Sequence, residues 1–297
     1  MVHLTDLYGQ DKLVISFELF PPKKWAGIAH LYEHFKELVT CEPTFITCTY
    51  GAGGGTRGRT LEVLDYVRGD YPHIPVASHL TLVGSTVEEL RDFLREAIAK
   101  GVRGIVALRG DPPKGQEQFV PPEGGLQHAN ELVSLIRAEF PDLAVLVGGY
   151  PEVHPEAPSP QVDLDNLKRK VDAGADVVLT QLFYDNEAFF RFRDRCEKIG
   201  ITVPIVPGLL PVTNLAQVKR LTTVCGAKLT RRLVERLEVH GDDAEGQFSV
   251  GVYYAARQAE ELVEQGVPGI HFYVLNKSRA AALICRALTL SRLRVRR

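Results

Sequence analysis

The chain holds 297 residues, 45% hydrophobic and 24% charged, with 35 Lys and Arg against 37 Asp and Glu. That composition excludes disorder, and a length prior of about 150 residues per domain allows one large domain or two ordinary ones. The formal charge of −2 lacks the basic excess of a chain that binds nucleic acid through many phosphates, so an anionic ligand has to be met locally.

The first segment, Met1 to Leu13, carries Asp6 and Asp11 and no apolar run of the kind that exports a chain. No stretch of about 18 apolar residues follows that would span a membrane. A cytoplasmic protein is expected. Five scattered cysteines, Cys41, Cys48, Cys196, Cys225 and Cys285, include no C-x-x-C pair. They fit free thiols in a reducing compartment, and no metal site is expected from them.

In chain order, β-rich runs fall at Leu13–Phe17, Phe45–Thr49, Pro75–Leu80, Gly104–Leu108, Leu143–Val147, Asp176–Thr180, Val203–Val206 and Ile270–Val274. Helical patterns alternate with them, as in Glu88–Lys100, where Leu90, Phe93, Leu94, Ala97 and Ile98 recur at helical spacing, or in Asp163–Ala173. Glycine closes several helices, as in Ala173-Gly-Ala, which is the chemistry of a helix-to-strand turn. This alternation over about 250 residues predicts an α/β fold, a (β/α)8 TIM barrel, with a doubly wound open sheet as the competing architecture. The barrel would take up residues 1–297 as a single domain. About sixty residues between the last two strands predict an extra helix or two within Val212–Gln265. The span Arg109–Gln127, rich in Pro and Gly, is long for a strand-to-helix loop and is expected to be functional.

In such a barrel the chemistry collects at the C-terminal strand ends. Glu18 follows Ser16 on the same side of its strand, with Phe17 turned toward the helices. Desolvation against Phe20 and the Pro21-Pro22 turn would raise the Glu18 pKa and suit it to general-acid work. A capping or salt-bridged glutamate is the plainer alternative. Thr49, Tyr50, His79, Arg109, Asp111, Tyr150, His154, Gln181, Asn276 and Lys277 close the other strands. Asp163, Asn166, Arg169 and Lys170 fall at i, i+3, i+6 and i+7, one helix face that would hold a diphosphate or else be simply solvated.

Three further patterns carry less. A formal G-x-G-x-x-G at Gly53, Gly55 and Gly58 lacks the acidic residue that a dinucleotide site needs after the next strand, so a flexible ligand-approaching loop is expected. Glu152, His154 and Glu156 alternate between Pro151 and Pro155 in what reads as a rigid loop rather than a metal site. His30 and His34, one helical turn apart, are expected on a solvated face, and the basic tail Ser291–Arg297 would complement a helix C-terminus.

Together the blocks Ser16-Phe-Glu-Leu-Phe-Pro-Pro-Lys, Thr49-Tyr-Gly-Ala, His79-Leu-Thr, Ala107-Leu-Arg-Gly-Asp-Pro-Pro, Tyr150-Pro-Glu-Val-His-Pro-Glu-Ala, Thr180-Gln-Leu-Phe-Tyr-Asp and His271-Phe-Tyr-Val-Leu-Asn closely resemble the bacterial methylenetetrahydrofolate reductase family. The resemblance implies FAD at the strand C-termini. NADH or NADPH would reduce it and depart. Then 5,10-methylenetetrahydrofolate would take the same place and receive a hydride from flavin N5, giving 5-methyltetrahydrofolate for one-carbon metabolism and methionine synthesis. Glu18 matches the family's general acid, which assists opening of the folate's five-membered ring, and Asp111 the aspartate beside flavin and folate. Thr49, Tyr50, Ala52, His79, Arg109, Gly110, Ala129, Tyr150, His154 and Ala157 match FAD or nicotinamide contacts. Asp163, Asn166, Arg169 and Lys170 match the diphosphate and adenosine side, and Gln181 and Gln217 positions that bind folate. Lys277 stands where the best-known members have an arginine for the folate tail, and Leu221 where they have a phenylalanine. The resemblance also implies that residues 1–297 are a catalytic domain with no regulatory domain, and a homo-oligomer is expected. A barrel aldolase or lyase would need a strand-end Schiff-base lysine, which none of the internal runs provides. A non-catalytic or partner-dependent flavin- or folate-binding subunit would not need Glu18, Asp111 and Gln181.

Overall fold

The computed structural model describes residues 4–9, 12–22, 24–50, 57–112, 115–116 and 118–295. Its strands are β1 (Val14–Leu19), β2 (Phe45–Cys48), β3 (Val76–Thr81), β4 (Gly104–Leu108), β5 (Ala144–Gly149), β6 (Val177–Thr180), β7 (Ile205–Val206), β8 (Gly208–Leu209) and β9 (Gly269–Tyr273). All pair in parallel, in the order β7-β6-β5-β4-β3-β2-β1-β9-β8. The two ends of that order are separated in the chain by Pro207 alone.

Proline has no N–H to offer a ladder, so a strand passing through it changes its pairing there. Before Pro207 the strand pairs with β6, and Val178 donates to the Pro204 carbonyl at 2.9 Å. After it the strand pairs with β9, and His271 donates to the Pro207 carbonyl at 3.0 Å. One bent strand therefore closes the sheet, and the fold is the predicted (β/α)8 barrel rather than an open sheet. The predicted runs match these strands within a few residues. The difference that matters is in β1, which continues past Phe17 to Leu19 and so carries Glu18 inside the ladder, opposite Thr47 and Tyr273.

Period-two alternation sorts the strand residues. Val14, Phe45, Ala77, Val106, Leu146, Val177, Leu179 and Val206 fill the barrel, while Phe17, Leu19, Ile46, Cys48, Val145 and Val147 belong to the layer under the helices. Phe17 packs on Phe272 with ring centroids 5.8 Å apart. The helices are α1 (Ile28–Val39), α2 (Arg57–Asp70), α3 (Val87–Ala99), α4 (Ala129–Glu139), α5 (Pro160–Asp172), α6 (Asn186–Lys198), α7 (Leu215–Cys225), α8 (Arg231–Glu238), α9 (Ala244–Glu264) and α10 (Ser278–Val295). Among the described residues none is long and apolar enough to cross a membrane. Gly174, at φ 113°, makes the turn from α5 to β6.

The predicted insertion is α7, α8 and α9, where a regular barrel unit has one helix. Leu182, Tyr184, Leu210, Val212, Leu233 and Leu237 form a separate apolar cluster there, beside the C-terminal strand ends. At the opposite end a 3-10 turn, Leu4–Gly9, stoppers the barrel: Leu4 is fully buried in the interior cluster, with Leu7 and Tyr8 against it. Sequence pattern assigns residues 4–9 no such role, because six residues are too few to show a period. Truncating this stopper with Leu4→Ala should lower unfolding free energy by about 2–4 kcal/mol, the range for a buried leucine. Unchanged urea midpoints would show that the barrel interior closes without it.

Candidate active site

The parallel register of β1 and β9 sets Ser16 opposite His271 and Glu18 opposite Tyr273. All four side chains share the inward parity of their strands, as does His79 on β3. Glu18 is only 5% exposed, and its Oε2 lies 3.2 Å from His79 Nε2 and 3.8 Å from His271 Nε2. The ring of His271 is anchored on its far side by a 2.8 Å bond between Nδ1 and Ser16 Oγ. Both histidine Nε2 atoms sit at ion-pair distance from the carboxylate but off the line of a hydrogen bond.

Burial pushes the Glu18 pKa up, as expected from the sequence, but His79 and His271 pull it down by more, and it is lowered to about 2. The expected raised pKa is therefore corrected. Desolvation was legible from neighbouring apolar residues, whereas the two histidines come from strands 61 and 253 residues away in sequence (79 − 18 and 271 − 18). The result is a carboxylate with two imidazole rings in reach, all three nearly sealed from water.

The loops after β4 and β5 meet above this cluster. Arg109 forks onto Glu156 with both contacts at 2.8 Å, donates from Nε to the Gly110 carbonyl at 3.1 Å, and lies 5.5 Å from the Phe119 ring. The long Arg109–Gln127 loop thus ties down onto the next one. Gly110 holds φ 87°, and a Cβ there would come within 2.5 Å of Val83 Cγ2. Asp111 is exposed beside it, and its charge reaches Tyr150. Burial first, then Asp111 and Asp163, push the Tyr150 phenol up, so it stays a donor. The His154 ring packs edge-on to Tyr150, its Nδ1 accepts from the Glu156 amide at 3.0 Å, and its own amide donates to Asp163 at 3.0 Å. Nε2 therefore carries the proton on neutral His154. Ala157 donates back to the His154 carbonyl at 2.9 Å. Glu152, by contrast, accepts from the Lys228 amide at 2.8 Å, so Glu152, His154 and Glu156 each serve a different neighbour.

At β2, the Thr49 amide bonds to Leu19 and its carbonyl accepts from Thr60, while Tyr50 is buried edge-on to Phe93. Ala52, Gly53 and Gly55 lie outside the described residues, and Gly58 falls in the first turn of α2. Ala129 opens α4, whose N-terminus is capped by Glu131 bonding back to the Gln127 and His128 amides.

The helix face on α5 divides. Lys170 is drawn inward to donate to the Gly148 carbonyl at the end of β5, and burial lowers its pKa to about 8 against the opposing pull of Asp163. Asn166 and Arg169 stay exposed and bond to each other. Gln181 turns its Oε1 back to the Leu182 amide at 2.9 Å. Gln217, on the first turn of α7, and Lys277 line one shallow depression with Leu210, Thr213, Tyr273 and Leu275. Leu221 is half-buried and packs on the apolar cluster behind it. His271 and Tyr273 were not singled out from the sequence. Their period-two match to Ser16 and Glu18 was the available signal, but it is informative only once β9 is known to neighbour β1.

A family model described as methylenetetrahydrofolate reductase matches residues 3–289. The 5,10-methylenetetrahydrofolate reductase of Escherichia coli (strain K12) is 40% identical over 285 residues, covering 96% of this chain and 93% of that protein. Methylenetetrahydrofolate reductase (NADH) 1 of Arabidopsis thaliana is 38% identical over 282 residues, covering 92% of this chain and 48% of the plant protein, so this chain spans about half its length. Among solved structures, an uncharacterized protein from Clostridium thermocellum, described as binding two copies of 5-methyl-5,6,7,8-tetrahydrofolic acid, matches with a TM-score of 0.62 at 17% identity, over 98% of this chain and 100% of that one. That likeness shows the fold alone.

The Glu18 environment has a pH signature. A carboxyl whose folded pKa is depressed contributes stability above its unfolded value and loses it as pH falls through the folded one. For Glu18 the window runs from 4.5 down to about 2, a difference on the order of 3 kcal/mol. Urea unfolding of the natural chain should weaken more steeply across that window than unfolding of Glu18→Gln. Parallel decline of the two would remove the ion-pair assignment.

Proposed function

The chain belongs to the methylenetetrahydrofolate reductase family, and from that premise we propose that it is an FAD enzyme reducing 5,10-methylenetetrahydrofolate to 5-methyltetrahydrofolate with NADH or NADPH as donor. The observation that carries this reading is the buried Glu18 flanked by His79 and His271 at the C-terminal mouth of the barrel.

The donor set suits FAD. Thr47 Oγ1, His79 Nε2 and Thr81 Oγ1 are buried inward-parity atoms with no hydrogen-bond partner, as a polar ring system laid on the strand ends would require. Thr49, Tyr50, Arg109, Gly110 and Tyr150 would surround that ring, and the tight Gly110 turn allows close backbone approach. His154, Asp163 and Lys170 would hold the diphosphate, with Asn166 and Arg169 outside them. The half-buried Lys170 amine, bonded to the neutral Gly148 carbonyl, has its pKa lowered to about 8 by desolvation, and phosphate oxygens beside it would restore its full charge. When bound, the flavin supplies two-electron hydride chemistry, which no side chain of this protein can.

The protein's own part is protonic and electrostatic. Ring opening of the folate needs a proton delivered to an amine nitrogen in a site closed to water. Glu18 Oε2 delivers it, and a small turn of the His79 ring brings Nε2, 3.2 Å away, into line to pass that proton to the carboxylate. That transfer turns a buried ion pair into two neutral groups, which low dielectric favours once the polar surroundings are displaced. His271, braced by Ser16, faces the same carboxylate and steadies its charge, and the proton spent on the folate is replaced from solvent when product leaves. Asp111 supplies a negative field that favours the cationic form of the opened folate. Gln181 and Gln217 offer donor and acceptor edges to a pterin, and Lys277 a point charge to the carboxylates of the tail, without the fork an arginine would give.

Glu18→Gln should leave bleaching of the flavin by NADH or NADPH within about twofold, while slowing return of the colour with methylenetetrahydrofolate by about 10²–10⁴-fold. Anaerobic stopped-flow absorbance reads both half-reactions, and equal losses in the two would remove the general-acid role. The pair Arg169→Ala and Lys170→Ala should shed FAD on dialysis. A natural chain that is colourless and takes up no FAD would overturn the flavoenzyme reading altogether.

A further inference from the structure

Away from this site, the outer face of α1 departs from the solvated surface expected of it. His30 is exposed, but His34 is half-buried, and its Nε2 lies 3.1 Å from His30 Nε2 with the rings at 82° and centroids 4.4 Å apart. On its other side His34 Nδ1 is 2.8 Å from Ser278 Oγ, at the first residue of α10. The Ser278 hydroxyl donates to the Glu37 carboxylate one turn further along α1.

A hydroxyl has one proton to give. With that proton directed to Glu37, Ser278 Oγ accepts from His34 Nδ1–H, and the Ser278 amide, 3.4 Å from Nδ1, is too distant to compete. The tautomer of His34 is thereby set, with its proton on Nδ1 and a lone pair on Nε2. Metal-binding imidazoles are supported in this way, with one nitrogen for the ion and the other N–H relayed to a carboxylate. The spacing agrees: two nitrogens 3.1 Å apart, each about 2.0–2.1 Å from a shared ion, subtend an angle of about 100°, close to tetrahedral.

We propose that His30 and His34 form a two-imidazole site for a divalent ion of the zinc class, completed by water and supported from behind by Ser278 and Glu37. Only His30 has to adjust: the N–H it presents to His34 moves to its Nδ1 when the ion takes that place. Two neutral nitrogens select Zn2+, Co2+, Ni2+ or Cu2+ over Mg2+ and Ca2+, which prefer oxygen. Among the described residues no group of three His, Cys, Asp or Glu is arranged to hold an ion, so the protein supplies two ligands and water the rest. The site lies in the seam between α1 and α10, where the carboxylates of Glu33 and Glu37 favour positive charge at His34 and the ammonium of Lys277 opposes it.

The test is equilibrium dialysis of the 297-residue protein against Zn2+, with metal content read by mass spectrometry and melting temperature read alongside. The natural chain should hold one equivalent and melt higher with zinc. His30→Ala, a change at an exposed position, should weaken binding by about tenfold or more and abolish the zinc-dependent rise in melting temperature, while its zinc-free melting stays as in the natural chain. Ser278→Ala should weaken binding by about tenfold through the lost tautomer support. Cys41→Ser and Cys285→Ser should bind as the natural chain does. Zinc that survives His30→Ala but is lost with a cysteine would place the ion on thiols and overturn the proposal, as would a natural chain that retains none.

Discussion

At Pro207 one strand exchanges β6 for β9, and that exchange closes the ladder. Without it β1 and β9 would still pair, but the inward faces of the remaining strands would not converge on a common axis. Closure makes period-two alternation three-dimensional: every second residue of every strand points at the same small volume. At one end apolar residues and the Leu4 stopper fill that volume. At the other it holds Ser16, Glu18, Thr47, His79, Thr81 and His271, all buried.

Glu18 shows what such enclosure demands. A carboxylate without partners in that position would take up a proton, because burial penalises its charge. His79 and His271 reverse the balance and hold it ionised. The same arrangement sets a ring nitrogen 3.2 Å from the carboxylate, so the charge of Glu18 is governed by neighbours inside the barrel rather than by solvent. Under the proposed function such a group would deliver a proton only when its surroundings change. Its acidity belongs to the cluster rather than to the residue.

The walls of the site are built differently from its floor. Strand ends form the floor and are rigid through the ladder. The walls are loops joined by side chains: Arg109 forks onto Glu156, and Asn276 exchanges two bonds with the Phe20 backbone at 2.7 and 2.9 Å. The second clamp holds Leu275 and Asn276 in left-handed conformations, at φ 48° and 54°, and so aims the turn that ends in Lys277. The apolar cluster of α7 and α8 backs the wall carrying Gln217.

The barrel, its strands, the αβ turns and the extra helices after the seventh strand were legible in the chain, because alternation, helical period and turn chemistry are local properties of neighbouring residues. So was the inward parity of Glu18, and the resemblance to a reductase family rests on short contiguous blocks of the same kind. Other features had no local trace. The ionised state of Glu18, the bracing of His271 by Ser16, the pairing of Arg109 with Glu156 and the inward turn of Lys170 each depend on residues from different strands and loops. Only closure of the barrel decided which of them meet, since a pKa or an ion pair is set by distances across the fold and not by distances along the sequence.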